Sequence, residues 1–293
     1  MKPEISVIVP VYNGERYIEG CLNSLLNQSL TKSKYEILII DNGSTDKTPE
    51  LVRKHKVKLF SEKKKGAANA RNKGMKAAKG NLIVFTDSDC IANKDWLKNL
   101  LESSKSADAI AGEVIPYEKR TLAQKYIAKR RRSTKKSWEL KRKTAPGYIR
   151  TSNFAVKRKV IKKVGFFDTR FANCGGEDDD YAWRVHWAGF KIAVNPKAKI
   201  LHRDRDTLKA LYKQTYRNGL AYCNLISKYP EIFGKIYIKR SALALPYNIL
   251  AAPFKIIFSK KGERLYPLVD AMKSYYKLAG RINGSIKYKV LAL

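Results

Sequence analysis

Two carboxylates one residue apart, Asp87 and Asp89, directly follow a short apolar run, Leu82–Phe85, which predicts a buried strand. Acids at the carboxyl end of a core strand lie where open α/β sheets bind ligands. Hard divalent cations bind carboxylate oxygens. Ribose hydroxyls can donate hydrogen bonds to the same oxygens. The same residues are also typical of a polar turn that caps a helix near Asn93–Asp95. Taken alone, the pair favours the turn. The rest of the sequence is needed to distinguish this turn from a ligand-binding site.

A second acidic cluster, Glu177–Asp180, follows Gly175 and Gly176 and opens a predicted helix over 178–188. The positive end of the helix dipole favours one or two acids in a first turn. Four adjacent acids repel one another, which raises the pKa of some of them. Two glycines allow a ligand to approach the backbone closely. In a chain of formal net charge +34, we therefore interpret this cluster as catalytic rather than as a helix cap alone.

The chain has three histidines, and only His202 follows a predicted core strand. A single histidine at a strand end is more often structural or solvent-exposed than a ligand. Its position matches that of Asp89, however, so His202 is a candidate ligand.

Apolar runs and helical spacings alternate along the first part of the chain, which predicts a mostly parallel, doubly wound α/β sheet. The expected strands are 5–10, 35–40, 57–60, 82–85, 109–114, 148–151, 153–156, 191–194 and 199–201. The expected helices are 15–28, one capped by Ser44 or Thr45 and running to His55, then 66–78, 96–104, 157–164, 178–188 and 208–227.

The turn after the first strand, Val11–Arg16, lacks the G-x-G-x-x-G pattern of dinucleotide-binding folds. A G-x-x-x-x-G-K-[ST] phosphate loop is also absent from the sequence. No loop is built to hold phosphates with backbone amides alone. Phosphates of a bound nucleotide would therefore need a metal ion or basic side chains.

The 293 residues include 60 Lys and Arg against 26 Asp and Glu. A surface this basic attracts nucleic acids, anionic lipid headgroups or phosphorylated substrates, and composition alone does not choose among them. Four widely spaced cysteines exclude a zinc ribbon and disfavour a disulfide framework, which favours a reducing compartment. The N-terminal residues do not have the pattern of a signal peptide. The sequence has no run of 18 residues without a charge, so we expect no transmembrane helix. We expect a cytoplasmic protein.

Basic residues are concentrated in two regions. Segment 117–143 has twelve Lys and Arg against two Glu, with aromatic and aliphatic residues between them. It predicts either a solvated helical insertion or an anion-facing lid for an acceptor phosphate or a membrane. From residue 236 onward, apolar and basic residues also mix, as in a helical appendage or a segment lying on an anionic membrane.

Five motifs in this order resemble family 2 glycosyltransferases, over about Ile5 to His202. They are Ile8-Val-Pro10-Val-Tyr12-Asn13, Ile40-Asp41-Asn42-Gly43-Ser44-Thr45-Asp46, Gly66 with Ala70-Arg71-Asn72-Lys73-Gly74, Phe85-Thr86-Asp87-Ser88-Asp89, and Gly175-Gly176-Glu177-Asp178 with Trp183-Arg184, followed by His202. The resemblance implies a GT-A, Rossmann-like fold: a mostly parallel sheet flanked by helices. The basic insertion and a C-terminal helical extension would be additions to it.

The resemblance also implies roles for individual residues. The residues expected to bind a nucleotide-sugar are Pro10, Tyr12, Asn13, Asp41, Lys65, Arg71, Asp87 and Ser88. Asp89, with His202, would bind Mg²⁺ or Mn²⁺ at the diphosphate. Asp178 matches the general base of an inverting displacement, and Glu177 would support it or contact the acceptor. A metal at a diphosphate leaving group, and a base of raised pKa, suit this chemistry.

We predict four regions: 1–116 (nucleotide-sugar half), 117–143 (acceptor-side basic insertion), 144–205 (acceptor and catalytic half) and 206–293 (amphipathic helical extension). The last of them lies beyond the resemblance. The Q-x-x-R-W motif and the long membrane helices of processive synthases are absent, which favours addition of a single sugar, hexosyltransferase type. The expected partners are a nucleotide-diphosphate sugar, foremost a UDP-sugar, and a glycolipid or polysaccharide acceptor. The expected location is the cytoplasm, with the protein either free or peripheral on the inner face of the cell membrane.

Two alternatives remain open from the sequence. A basic nucleic-acid-binding protein would explain the charge, but it leaves both acidic clusters unexplained and lacks the sequence signatures of known binding modules. A noncatalytic sugar-nucleotide binder would have the same motifs with a residue missing, and the motif set looks complete. Donor sugar, acceptor and oligomeric state are not determined by the sequence.

Overall fold

The computed structural model describes residues 2–138, 147–172, 175–233, 236–237 and 244–292. The chain divides into two compact units. Unit 1 comprises Met1–Tyr117, Arg132–Asn173 and Glu177–Arg203. Unit 2 comprises Glu118–Arg131, Cys174–Gly176 and Asp204–Leu293. The basic segment 117–143 is thus shared between the units, and its residues from 139 onward lie outside the described part of the chain.

Unit 1 contains a single eight-stranded sheet among its described residues. Its strands are β1 (Ile5–Val11), β2 (Tyr35–Asp41), β3 (Lys58–Ser61), β4 (Leu82–Phe85), β5 (Cys90–Ala92), β6 (Ala109–Pro116), β7 (Phe154–Lys157) and β8 (Ile192–His202). The strand order is β3-β2-β1-β4-β7-β6-β8-β5. The first four strands in that order are parallel, whereas β7 is antiparallel to both neighbours and β5 is antiparallel to β8. The sheet is therefore parallel in its first half and mixed in its second.

The helices follow the expected alternation. They are α1 (Ile18–Leu26), α2 (Thr48–Arg53), α3 (Ala67–Ala77), α4 (Trp96–Ser104), α5 (Leu122–Arg130), α6 (Thr134–Trp138), α7 (Arg158–Val164), α8 (Glu177–Trp187), α9 (Leu208–Lys228), α10 (Pro230–Phe233), α11 (Ala244–Ile257) and α12 (Tyr266–Tyr288). Unit 2 contains α5, α9–α12 and two short paired strands, β9 (Ile236–Tyr237) and β10 (Leu291–Ala292).

The sheet of unit 1 is covered on both faces, which explains why its strands are continuous apolar runs. Alternate residues of β1 point to opposite sides: Val7 belongs to a cluster with Trp96, and Ile8 to another with Met75 and Tyr181. The first cluster contains the apolar sides of α1 and α4, and the second contains those of α3, α7 and α8. The expected α/β sheet flanked by helices is confirmed.

Several local predictions were wrong. The two strands expected at 191–194 and 199–201 form one strand, β8. The gap expected between them, which contains Pro196, is present as a register shift, where β6 residues Gly112 and Glu113 pair with Asn195 and Lys199.

Other errors concern turns and helix ends. Residues 148–151 do not form a strand, and a 3-10 turn at Thr151–Asn153 precedes β7. Helix α2 begins at Thr48 without a side-chain cap, so neither Ser44 nor Thr45 caps it. The strand β5 was not predicted, because three residues are too few to show alternation.

Asn153 organises the mixed half of the sheet. Its side chain is buried, accepts a hydrogen bond from Trp96 Nε1 (2.8 Å), and donates to the carbonyls of Glu113 and Ala198 (2.9 Å each). These two carbonyls lie at the register shift between β6 and β8, where the regular hydrogen bonds between the strands are interrupted. One amide therefore replaces ladder hydrogen bonds at the point where β8 would otherwise separate from the sheet.

Unit 2 is built around α9 and α12, which approach closely because glycines face the partner helix. A side chain at Gly280 would overlap the backbone of Tyr216, and one at Gly219 would overlap the backbone of Lys277. A small core of Tyr126, Leu211, Tyr266 and Val269 joins α5 to these helices. Within the described ranges, no helix is long and apolar enough to cross a membrane.

We expect Asn153→Ala to lower the free energy of unfolding by roughly 2–4 kcal/mol, since it leaves buried polar groups unsatisfied. Urea denaturation at neutral pH measures this change. The matched control is Asn23→Ala, at an exposed position on α1, where the change should stay within about 0.5 kcal/mol. Equal stability of the two variants would contradict the role of Asn153.

Candidate active site

The loop after β4 places both of its carboxylates at the end of the sheet. Cys90 N donates to Asp87 O (3.1 Å), which closes a tight turn before β5. Pairing of β5 with β8 sets Cys90 opposite His202, and Arg203 N donates to Asp89 O (3.0 Å). As a result, Asp89 Oδ1 lies 3.7 Å from His202 Nε2. The alternative of a helix cap is wrong, since the residue that precedes α4, Asp95, forms no side-chain cap.

Four side chains at this point could bind a metal ion together. Donor atoms of Asp87, Asp89, Cys90 and His202 all lie within 4.8 Å of one another. With no metal bound, burial, then the charges of Asp87 and Asp89, raise the pKa of the Cys90 thiol. The carboxylate oxygens of Asp87 and Asp89 and the imidazole of His202 are donors that fit Mg²⁺ or Mn²⁺.

Arg71, on α3, connects the two acidic clusters. Its guanidinium is buried, with Nη2 2.9 Å from Asp87 Oδ1 and Nη1 2.8 Å from Glu177 Oε1. Burial works against the charge, but the carboxylates of Asp87, Glu177 and Asp178 raise the pKa of Arg71 above its ordinary value. Residues that are far apart in the sequence thus form one charge network, which the order of motifs alone did not specify.

Asp178 is the acid of this network whose protonation is most perturbed. It lies partly buried in the first turn of α8 and forms no ion pair of its own within the described residues. Burial raises its pKa, the neighbouring charge of Glu177 raises it further, and Arg71 opposes both; the result is a pKa of about 7. The expected repulsion among the acids contributes, but burial is the larger cause. A carboxylate with this pKa can accept a proton near neutral pH.

The four acids of α8 do not share one role. Asp180 is fully buried and pairs with Arg184 (2.9 Å), whose guanidinium also donates to Val164 O and Phe166 O. This pair attaches α8 to the end of α7, so Asp180 is explained by structure. Glu177 and Asp178 remain as the acids that face the Arg71 network.

The residues expected to contact a nucleotide form a second group, in the loops after β1 and β2. Asn13 has a left-handed backbone (φ 50°), donates from N to Ser44 Oγ (2.9 Å) and accepts from Thr45 N (2.9 Å). Asp41 is buried and accepts from Ser44 N (3.2 Å). The two loops therefore hold each other, and the hydroxyl of Ser44 belongs to this contact rather than to a helix cap.

Lys65 lies over the exposed ring of Tyr12, with Nζ 4.3 Å from the ring centroid, and donates to Gly43 O (3.1 Å). Pro10 is partly buried in β1 opposite Ile40. The structure thus brings Tyr12 and Lys65 together beside the Asn13 loop. Arg71 belongs to the acidic network and not to this group.

Ser88 connects the two groups through packing. A side chain added at Gly14 would come within 3.5 Å of Ser88 Oγ, so the loop after β1 lies against the loop after β4. Apart from Glu177 and Asp178 on α8, the residues expected at the site lie near the carboxyl ends of sheet strands or in the segments that directly follow them.

Two residues at the site were not predicted. Cys90 was outside the motif, although its position directly after Asp89 was a signal. Arg203 stacks on Tyr117 (3.9 Å) and Tyr17 (5.6 Å), and its Nε lacks a hydrogen-bond partner in the part of the chain that the structure describes. A guanidinium that no described carboxylate neutralises is available to an anion, and only the fold reveals this.

Comparisons with known proteins identify the family of the chain. The family model described as glycosyl transferase family 2 matches residues 6–165. The chain belongs to glycosyl transferase family 2. It is 33% identical over 222 residues to glycosyltransferase AglE of Haloferax volcanii, which covers 72% of this chain and 71% of that protein. The chain is therefore a glycosyltransferase.

Two further proteins extend the comparison to most of the chain. A dolichyl N-acetyl-alpha-D-glucosaminyl phosphate 3-beta-D-2,3-diacetamido-2,3-dideoxy-beta-D-glucuronosyltransferase of Methanococcus voltae is 31% identical over 270 residues, 82% of this chain and 81% of that protein. The mannosyltransferase PcManGT of Pyrobaculum calidifontis, solved with GDP-Man and Mn²⁺, superposes with a TM-score of 0.67 at 20% identity, over 97% of this chain and 87% of that one. The expected GT-A fold is confirmed.

Because this glycosyltransferase holds Asp178 at a pKa of about 7, well above that of an unfolded aspartate, its charged form costs stability. The cost is absent at a pH below the pKa of Asp178 in the unfolded chain, near 4. It reaches its full size at a pH above the pKa of Asp178 in the folded protein. Asp178→Asn should therefore raise Tm by roughly 2–5 °C at about pH 8 and by less at about pH 4.5.

Differential scanning calorimetry at both pH values measures this effect. The control is Asp95→Asn, at an exposed carboxylate, which should change Tm little at either pH. A shift for Asp178→Asn that is the same at both pH values would contradict the perturbed protonation of Asp178.

Proposed function

We propose that the chain transfers one sugar from a nucleoside diphosphate sugar to an acceptor hydroxyl, with inversion at the anomeric carbon. Asp178 is the general base, and Asp89 with His202 binds a divalent cation at the diphosphate. The acceptor is lipid-linked or a polysaccharide.

The observation that supports this proposal most is the pairing of Arg71 with Asp87 and Glu177 (2.9 and 2.8 Å). It joins the loop that carries the candidate metal ligand Asp89 to the helix that carries the candidate base Asp178. A donor bound at one loop and an acceptor bound at the other would meet at this network. Positioning of this kind accounts for a large part of catalysis in group transfer.

The proposed chemistry is a single displacement. Asp178 accepts the proton of the acceptor hydroxyl as its oxygen bonds to the anomeric carbon. The bond between that carbon and the diphosphate oxygen breaks, and the nucleoside diphosphate leaves with the electron pair. A pKa of about 7 leaves much of Asp178 ionised at neutral pH and makes it a stronger base than an ordinary aspartate.

Asp89 and His202, 3.7 Å apart, are the residues that would hold Mg²⁺ or Mn²⁺, and Asp87 lies in the same cluster. A bound cation would neutralise negative charge on the leaving diphosphate. Asp87 is held by Arg71, so we assign it to the ribose or sugar of the donor. Glu177, held by the other side of Arg71, is a positioning residue for Asp178.

Donor recognition is assigned to the paired loops after β1 and β2. Asp41 would accept from the base or ribose, and the ring of Tyr12, stacked by Lys65, would contact the base. A UDP-sugar is the donor proposed first, whereas the similar mannosyltransferase was solved with GDP-Man. Both donors, with dTDP-sugars, therefore belong in the first screen.

The acceptor assignment rests on relatives and on charge. The similar protein of Methanococcus voltae is named for transfer to a dolichyl phosphate-linked sugar. A lipid-linked phosphate carries negative charge, which suits a chain of formal net charge +34. We therefore place a phosphate-bearing, lipid-linked acceptor first and a polysaccharide second.

Asp89→Ala should abolish the part of donor binding that depends on Mn²⁺ or Mg²⁺, because it removes a carboxylate ligand from the cluster. Isothermal titration of UDP-, GDP- and dTDP-sugars, with and without metal, measures this. Asp95→Ala, which removes an exposed carboxylate at the start of α4, is the control and should bind normally. Metal-dependent binding that survives in Asp89→Ala would exclude Asp89 as a ligand.

Asp178→Asn should retain donor binding and lose roughly 10²–10⁴-fold in kcat, the usual contribution of a general base. In the wild type, kcat/KM should fall about tenfold per pH unit below an apparent pKa near 7, as Asp178 of the free enzyme becomes protonated. Transfer is followed by product chromatography, with slow hydrolysis of the donor as the assay if no acceptor is known. Asp178→Asn with a normal transfer rate would overturn the assignment of the base.

A further inference from the structure

The outer side of α11 in unit 2 is apolar and exposed. Five side chains on it or directly after it are more than half exposed, and Phe258 is 85% exposed: Tyr247, Leu250, Phe254, Ile257 and Phe258. We call these five the α11 face. Large exposed apolar patches on soluble proteins mark sites of interaction.

Helix α11 is not simply detached from the rest of unit 2. The opposite side of α11 packs on α12: Ala252 is buried, and Asn248 Nδ2 donates to Ser274 Oγ (2.8 Å). Helix α12 in turn packs on α9. Helix α11 is thus anchored in unit 2 with its apolar side turned to solvent, the reverse of an ordinary amphipathic surface helix.

Basic residues border the α11 face, and we call them the basic rim: Lys255, Lys260, Lys261 and Arg264. None of them forms an ion pair in the described part of the chain, and Lys255 lies over the ring of Tyr247 (4.5 Å). The one acid in this stretch, Glu263, pairs with Lys129 (2.9 Å). The charge around the apolar side is therefore positive.

An apolar surface with aromatic residues, bordered by lysine and arginine, has the chemistry that binds the headgroup and upper acyl region of an anionic bilayer. Neither the glycosyl transfer nor the network around Arg71 uses these residues. We propose that the α11 face and the basic rim dock the protein on an anionic lipid surface, with Phe254 and Phe258 inserted and the rim at the headgroups.

Charge complementarity favours a lipid surface over a second copy of the chain. A second copy would bring its own basic rim and the formal net charge of +34 to the same interface, and like charges there are unfavourable. An anionic bilayer instead supplies negative charge around an apolar interior. The proposal does not depend on the reaction at the candidate active site, so each can fail without the other.

The test uses the full chain and vesicles of pure lipid. Flotation with phosphatidylcholine vesicles, and with equimolar phosphatidylcholine and phosphatidylglycerol, measures binding at low and high salt. We expect binding to the anionic vesicles that weakens with salt, and little binding to the neutral ones. Absence of binding to the anionic vesicles would overturn the proposal.

Two sets of substitutions locate the surface. Leu250→Ser with Phe254→Ser and Phe258→Ser should weaken vesicle binding by about tenfold or more, without lowering Tm, because these side chains are already exposed. Phe166→Ser, which removes an exposed aromatic residue of unit 1, is the control and should bind as the wild type does. Unchanged binding by the triple variant would exclude the α11 face.

The rim is tested by Lys255→Gln with Lys260→Gln and Lys261→Gln. The matched control, Lys54→Gln with Lys56→Gln and Lys98→Gln, removes the same charge from exposed positions of unit 1. Only the rim variant should lose binding; equal losses would mean that net charge alone attracts the lipid. Light scattering of the free protein completes the test. A dimer that the triple serine variant dissociates, with no vesicle binding, would assign the face to a second copy.

Discussion

The site depends on one buried cation. Arg71 is almost without solvent, and its removal would leave the partly buried carboxylates of Asp87 and Glu177 without their shared cation. Because Asp87 follows β4 and Glu177 opens α8, the native positions of α3, β4 and α8 are coupled through this guanidinium. Asp178 lies next to this network and has no ion pair of its own among the described residues. Its carboxylate, with a pKa of about 7, is therefore the one best suited to accept a proton.

The same physics separates acids that hold the fold from acids that are available to a substrate. Asp180 is fully buried and has Arg184 beside it (2.9 Å), so its charge is satisfied within unit 1. Asp89 and His202 instead lie close to each other at partly exposed positions. The role of each acid in such a cluster therefore depends on its partner, and the partner is known only from the fold.

Much of unit 1 was predictable from local sequence, because strands buried on both faces are apolar runs and the helices between them have clear spacing. The positions of Asp87, Asp89 and His202 followed from strand ends. The continuity of β8 through Pro196 did not, because the register shift against β6 is stabilised by Asn153 from elsewhere in the chain. The pairing of Arg71 with Glu177 and the outward apolar side of α11 also depend on tertiary contacts that no local pattern encodes.

The main-chain bond from Arg203 to Asp89 has a consequence for the order of assembly. Asp89 and His202 are far apart in sequence, so they can meet only after β8 has paired with β5 and the large intervening loop has closed, with its entropic cost. The loops after β1 and β2 close over a much shorter segment. A ligand that requires both Asp89 and His202 therefore binds only the completed sheet, and mass action then makes that ligand a stabiliser of the native state as well as a participant in the reaction.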